Sequence, residues 1–184
     1  MNINNLTLEE KLGQMFLIAY EENFVTEELK MLIQQYKIGG IILYRKNFIK
    51  YDALVKFINE VRELNKTNPL PLFISIDQEG GRVNRLPKEI NNLNAPFCLA
   101  KNKDMNIIKE ATNITSKILK ETGYNMNFAP VLDIKNFDEQ HSIGDRCYGD
   151  NVSDVSKFGI YAMKIFQNNG IIPVIKHFPR TWCY

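Results

Sequence analysis

Leu72-Phe73-Ile74-Ser75-Ile76-Asp77-Gln78-Glu79-Gly80-Gly81-Arg82 is an apolar run that ends in a carboxylate and a glycine turn. Residues 72–76 suit a strand buried on both faces, as in a parallel sheet covered by helices. The same pattern recurs to either side. Phe16-Leu17-Ile18-Ala19 and Ile41-Ile42-Leu43-Tyr44 read as earlier strands, and residues 127–132 and 173–175 as later ones.

Helical segments separate these strands. Thr7-Leu8-Glu9-Glu10 has the form of a capping box opening a short helix. Residues 26–36 follow, with Leu29, Leu32 and Ile33 on one face, and Gly39-Gly40 breaks them. Residues 51–64 place Leu54, Val55, Ile58 and Val61 at helical spacing. Pro69 and Pro71 bracket the entry to strand three, and residues 80–102 read as a long connection. Residues 104–122 form a helix that stops at Gly123, and residues 153–169 another that stops at Gly170. Met15, Met163 and Phe166 read as core.

Alternating strands and helices fit a doubly wound open sheet or a (β/α) barrel. The doubly wound sheet wants a glycine-rich phosphate turn after strand one, where the sequence has Tyr20-Glu21-Glu22-Asn23. The barrel wants polar residues at the carboxyl ends of several strands. Asp77, Asp133, and Lys176 with His177 meet that requirement at strands three, four and five. A barrel takes eight strands and about 250 residues. The chain has 184 residues. The expected fold is therefore α/β, of the (β/α)8 TIM-barrel type, with only the first five βα units present.

Composition narrows the function. The chain is 45% hydrophobic and 24% charged with a formal net charge of +2 and dispersed cations, which speaks against nucleic acid. No apolar run approaches the ~20 residues that cross a bilayer, so no membrane partner is expected. The start, Met1-Asn2-Ile3-Asn4-Asn5-Leu6-Thr7, has no basic stretch leading into an apolar one, so a cytoplasmic location is expected. Cys98, Cys147 and Cys183 are odd in number and lack Cys-x-x-Cys spacing, against a disulfide framework.

Asp77 stands where a buried strand meets the open end of the sheet. Its carboxylate can accept from two neighbouring hydroxyls and so hold a sugar, or can neutralise Arg82 or Arg85 at the loop base. Asp77 and Glu79 share a face at roughly 6.6 Å if the chain is extended, which would suit a glycosidase acid and base. The Gly80-Gly81 turn works against that geometry. Arg146, in the turn-rich stretch at 142–150, either reaches a ligand or pairs with Asp145 or Asp150. His141, His177, Asp133 and Asp145 match no metal-ligand spacing, and no base neighbours Cys147 in sequence, so neither a metal nor another cofactor is expected.

The motifs Asp77-Gln78-Glu79-Gly80-Gly81-Arg82-Val83-Asn84-Arg85, Asn127-Phe128-Ala129-Pro130-Val131-Leu132-Asp133, Ile143-Gly144-Asp145-Arg146 and Lys176-His177-Phe178-Pro179 resemble, in the same order, those of glycoside hydrolase family 3. The likeness is to its bacterial β-N-acetylhexosaminidase branch, and it runs from about residue 7 to Pro179. It implies a (β/α)8 barrel and hydrolysis, with retention, of terminal β-N-acetylglucosamine from cell-wall-derived glycans. Asp77, Arg85, Arg146, Lys176 and His177 would line the sugar subsite, with His177 a sugar contact and not the catalytic acid. A β-glucosidase-type member of the family, or a non-catalytic aminosugar-binding partial barrel, are the alternatives.

In that branch a Gly-His-Gly follows the proline, then an Asp-Ser-His loop carrying the acid/base, then an Asp nucleophile. Here Arg180-Thr181-Trp182-Cys183-Tyr184 follows. Arg180-Thr181-Trp182 can be spelled AGG-ACA-TGG, which read one base later begins GGA-CAT-GG, the expected Gly-His-Gly, so a single-base frameshift after Pro179 is the expectation. Residues 1–184 are thus expected to be the N-terminal part of one family 3 barrel domain, with 180–184 an off-frame tail. The acid/base and nucleophile are expected to be missing and the chain inactive alone. Unpaired barrel edges are expected to promote self-association.

Overall fold

The structure, a computed structural model, describes residues 3–68, 70–135 and 142–178. The tail at 180–184 lies outside these residues. Five strands form one parallel sheet in sequence order: β1 Leu17–Ala19, β2 Gly40–Ile42, β3 Phe73–Ile76, β4 Met126–Asn127 and β5 Ile172–Pro173. Ile18 sits opposite Ile41, Ile41 opposite Ile74, Ser75 opposite Met126, and Met126 opposite Ile172. β1 and β5 are the two edges, so the barrel is not closed.

Helices connect the strands: α1 Leu8–Gly13, α2 Glu27–Gln34, α3 Tyr51–Leu64, α4 Pro96–Ala100, α5 Met105–Thr122, α6 Val152–Asp154 and α7 Ile160–Asn168. The capping box at Thr7 forms in both directions: the Glu10 amide donates to Thr7 Oγ1, and the Thr7 amide donates to Glu10 Oε2. α3 buries Leu54, Phe57, Ile58 and Val61, whereas Val55 is only half-buried. Phe57 stacks on Tyr20 and meets Phe48, which ties α3 to the segments following β1 and β2. Gly123 closes α5 at φ 97 and lies against Ile58. The expected single helix at 153–169 is α6 and α7 joined by a π-helical turn, Val155–Gly159. α4 forms inside what reads as a plain connection, with Pro96 at its start.

Two expectations need correction. Strand four is read at 127–132, yet the ladder stops at Asn127. Pro130 has no N–H to donate, and only Val131 returns to pair, bridging Lys176. The ladder is extended by side chains: Asn125 accepts from the Ile74 amide and donates to the Leu72 carbonyl. Met15 is not core but 80% exposed, and Leu8, Leu12 and Phe16 are exposed with it ahead of β1, beyond which no strand pairs among the described residues. Phe166 is buried as expected, and Met163 is half-buried. The main core lies between the sheet and its helices, around Leu29, Ile33, Ile41, Ile58, Ile74 and Leu119.

Candidate functional site

The last three strands deliver polar groups beyond the ends of their apolar runs. Asp77 follows β3 and Glu79 lies two residues on. Gly80 and Gly81, at φ 92 and 57, then turn the chain back against Asn94 and Ala95, a path that a Cβ would obstruct. Asp133 follows β4, Arg146 ends a 3-10 turn at Gly144–Arg146, and Lys176 and His177 follow β5 across a cis peptide.

The structure brings these groups together around Glu79, whose side chain is 1% exposed. Arg146 donates to it through two nitrogens, Nε to Oε2 and Nη2 to Oε1, each at 2.8 Å. Lys176 Nζ lies 2.5 Å from Glu79 Oε1 and 2.7 Å from Asp77 Oδ1. Burial pushes the pKa of Glu79 up, but the Arg146 hydrogen bonds and the Lys176 charge outweigh it, and the carboxyl is held below its ordinary value. Arg146 is held above its own by the Glu79 hydrogen bonds. A carboxylate so stabilised cannot serve as a proton donor near neutrality, which removes the Asp77/Glu79 acid-base pair.

His177 binds Asp133 twice: its backbone N–H donates to Oδ2 at 3.1 Å, and Nδ1 lies 2.6 Å from the same oxygen. The Asp133 side chain is 6% exposed, and His177 keeps a third of its side chain open. Arg85 does not join the ion network. Its backbone N–H donates to Gln78 Oε1, and its Nε is buried with no acceptor among the described residues.

Arg146 pairs with neither Asp145 nor Asp150. Asp145 instead meets Arg82 Nε at 3.3 Å, and Arg82 Nη2 also donates to the carbonyls of Ser142 and Ile143. Two arginines thus clasp the loop at 77–85 to the loop at 142–146 in opposite directions. Beneath them, buried Asn127 accepts from the Gln78 amide and donates to the Gln78 carbonyl.

Cys147 is buried, which pushes its thiol up, and Sγ faces the Gly149 carbonyl, so it is no nucleophile. Among the described residues no three His, Cys, Asp or Glu side chains gather to hold a metal, and His141 lies outside them. Sequence reasoning missed Glu79 as the hub and Asp133 as the partner of His177. The strand-end position of Asp133 was the available signal for the second.

What the arrangement offers is three carboxylates, two cations and an imidazole gathered at the carboxyl ends of parallel strands. Residues 7–181 match the Glycosyl hydrolase family 3 N terminal domain. Beta-hexosaminidase A of Pseudoalteromonas piscicida is 35% identical over 159 residues, covering 83% of this chain and 26% of that protein. A family 3 beta-N-acetylglucosaminidase from Paenibacillus sp. str. FPU-7 superposes with a TM-score of 0.88 at 35% identity, over 95% of this chain and 34% of that one. NagZ from Neisseria gonorrhoeae, solved in complex with N-trifluoroacetyl-D-glucosamine, gives 0.80 at 27% identity, over 90% of this chain and 50% of that one. The chain therefore spans between about a quarter and a half of the length of these relatives. The match over residues 7–181 means that this chain belongs to glycosyl hydrolase family 3, within that family's N-terminal domain.

Proposed function

We propose that this chain carries the sugar-holding part of a retaining β-N-acetylhexosaminidase acting on terminal N-acetylglucosamine of cell-wall-derived glycans. The observation that carries it is the Asp77–Lys176–Glu79–Arg146 network at the strand ends. Lys176 fixes Asp77 through Oδ1 alone, and Oδ2 has no donor among the described residues. That oxygen is placed to accept from a sugar hydroxyl. The buried, unpartnered Arg85 Nε supports the same reading, since a buried donor left unmade costs about 1–3 kcal/mol and a ligand oxygen would relieve it. Asp77, Arg85, Arg146, Lys176 and His177 are the contacts proposed.

Turnover is a separate matter. The carboxylates at the centre of the network are tied to cations, and none is poised as acid/base with a second as nucleophile. We read the 184-residue polypeptide as binding without hydrolysing, and as self-associating through its sheet edges. Saturation-transfer NMR with N-acetylglucosamine tests the sugar assignment. The acetyl methyl is expected to receive saturation from the protein, and glucose to compete poorly. Equal competition by glucose would redirect the reading to the glucosidase type.

A further inference from the structure

The chain beyond β4 runs beside the chain beyond β5. The Lys176 amide donates to the Pro130 carbonyl at 3.2 Å, and the Leu132 amide donates to the Lys176 carbonyl at 2.6 Å. This pairing sets Asp133 next to His177. Asp133 Oδ2 accepts from the His177 backbone N–H at 3.1 Å and lies 2.6 Å from the ring Nδ1. A carboxylate oxygen that already holds one donor offers the ring only an acceptor, so the imidazole proton belongs on Nδ1. The Asp133 side chain is buried, and little water competes for the contact. In the neutral ring Nε2 then carries a lone pair. It has no partner among the described residues, and part of the imidazole is open to solvent.

Asp77, gripped by the residue that precedes His177, presents a second acceptor through Oδ2. Two acceptors at one end of the sheet call for a ligand that brings hydrogens to both. A hydroxyl has one to give. A fluorine of similar size, or a hydrogen in the hydroxyl's place, has none. The polarity of this corner therefore depends on which nitrogen of His177 holds the proton, and that choice is made by Asp133, a residue the sugar need not touch.

We propose that Asp133 is a positioning residue: it fixes His177 with the ring proton on Nδ1, so that Nε2 accepts a hydrogen from a hydroxyl of the bound sugar. The hydroxyl rests on the proposed function; the fixed ring rests on the Asp133 contacts alone. Proton–nitrogen correlation spectra of the imidazole at pH 8, above the ordinary imidazole range, read the ring directly. His177→Ala separates its signals from those of His141. The wild type is expected to carry the proton on Nδ1, and the Nε2–H form is expected to gain in Asp133→Ala. The second readout is the affinity for N-acetylglucosamine and for analogues in which each ring hydroxyl in turn is replaced by hydrogen or by fluorine. At one position both replacements are expected to weaken wild-type binding about fivefold, the scale of one hydrogen bond. That penalty should vanish in His177→Ala. In Asp133→Ala, where the ring can donate, the fluorine penalty at that position should shrink. A purely structural Asp133 would instead weaken parent and analogues alike and leave the ring proton where it was. A wild-type ring protonated on Nε2, an unchanged ring in Asp133→Ala, or penalties that all survive His177→Ala, overturns the assignment. If the parent sugar does not bind, the proposed function fails and the ring spectra alone decide the role of Asp133. If Asp133→Ala does not fold, the wild-type ring and the analogue series decide it.

Discussion

Glu79 shows how one buried charge organises residues drawn from three loops. Its two oxygens take Arg146 and Lys176, which lie 67 and 97 positions further along the chain, so no local pattern could announce the contact. Removing the carboxylate leaves two cations facing each other in a nearly dry place. Glu79→Gln is expected to cost about 3 kcal/mol in urea unfolding, the scale for breaking a buried ion pair from one side. Because the folded carboxyl lies below its ordinary value of 4.5, its contribution is complete above that pH and is lost as pH falls through the lowered value. Unfolding midpoints measured across that acid range should drop more steeply for the wild type than for Glu79→Gln. Asp77 and Lys176 were legible in the sequence because a polar residue ending an apolar run is a local signal. The Asp133–His177 contact was legible only as two strand ends, since the separation of 44 residues hides which of them meet.

At the level of elements, strand order and the helices between strands follow from hydrophobic period; α3 falls where its spacing predicts, and α5 where its spacing and its closing Gly123 predict. Strand lengths do not. Asn125 and Asn127 put side-chain amides where a longer β4 would put backbone, a substitution that β-propensity cannot reveal. Asn127→Ala would leave the Gln78 N–H and carbonyl buried and unmade. It is expected to destabilise by about 2 kcal/mol or more and to lower amide protection at Gln78 in hydrogen exchange. Gly81→Ala should be similarly damaging. It combines φ 57 with a Cβ placed 2.6 Å from that of Ala95, so the loop carrying Asp77 must shift.

The whole molecule is an open sheet with apolar surface at both ends. Leu12, Met15 and Phe16 are exposed by β1, and Ile172, Ile175 and Phe178 by β5. Unpaired parallel edges of this kind favour association. Sedimentation velocity is expected to show concentration-dependent oligomers, and a sharp monomer boundary at all concentrations would contradict that. Hydrolysis of a nitrophenyl N-acetyl-β-glucosaminide by the purified 184-residue chain is expected to match the buffer blank. The central claim, that these residues hold an aminosugar through Asp77, is tested most directly by calorimetric titration of N-acetylglucosamine into the wild type and Asp77→Ala. The account predicts saturable heat for the wild type and none for a variant that unfolds at the same urea concentration. Equal heats for the two proteins, or no saturable heat for the wild type, would contradict it.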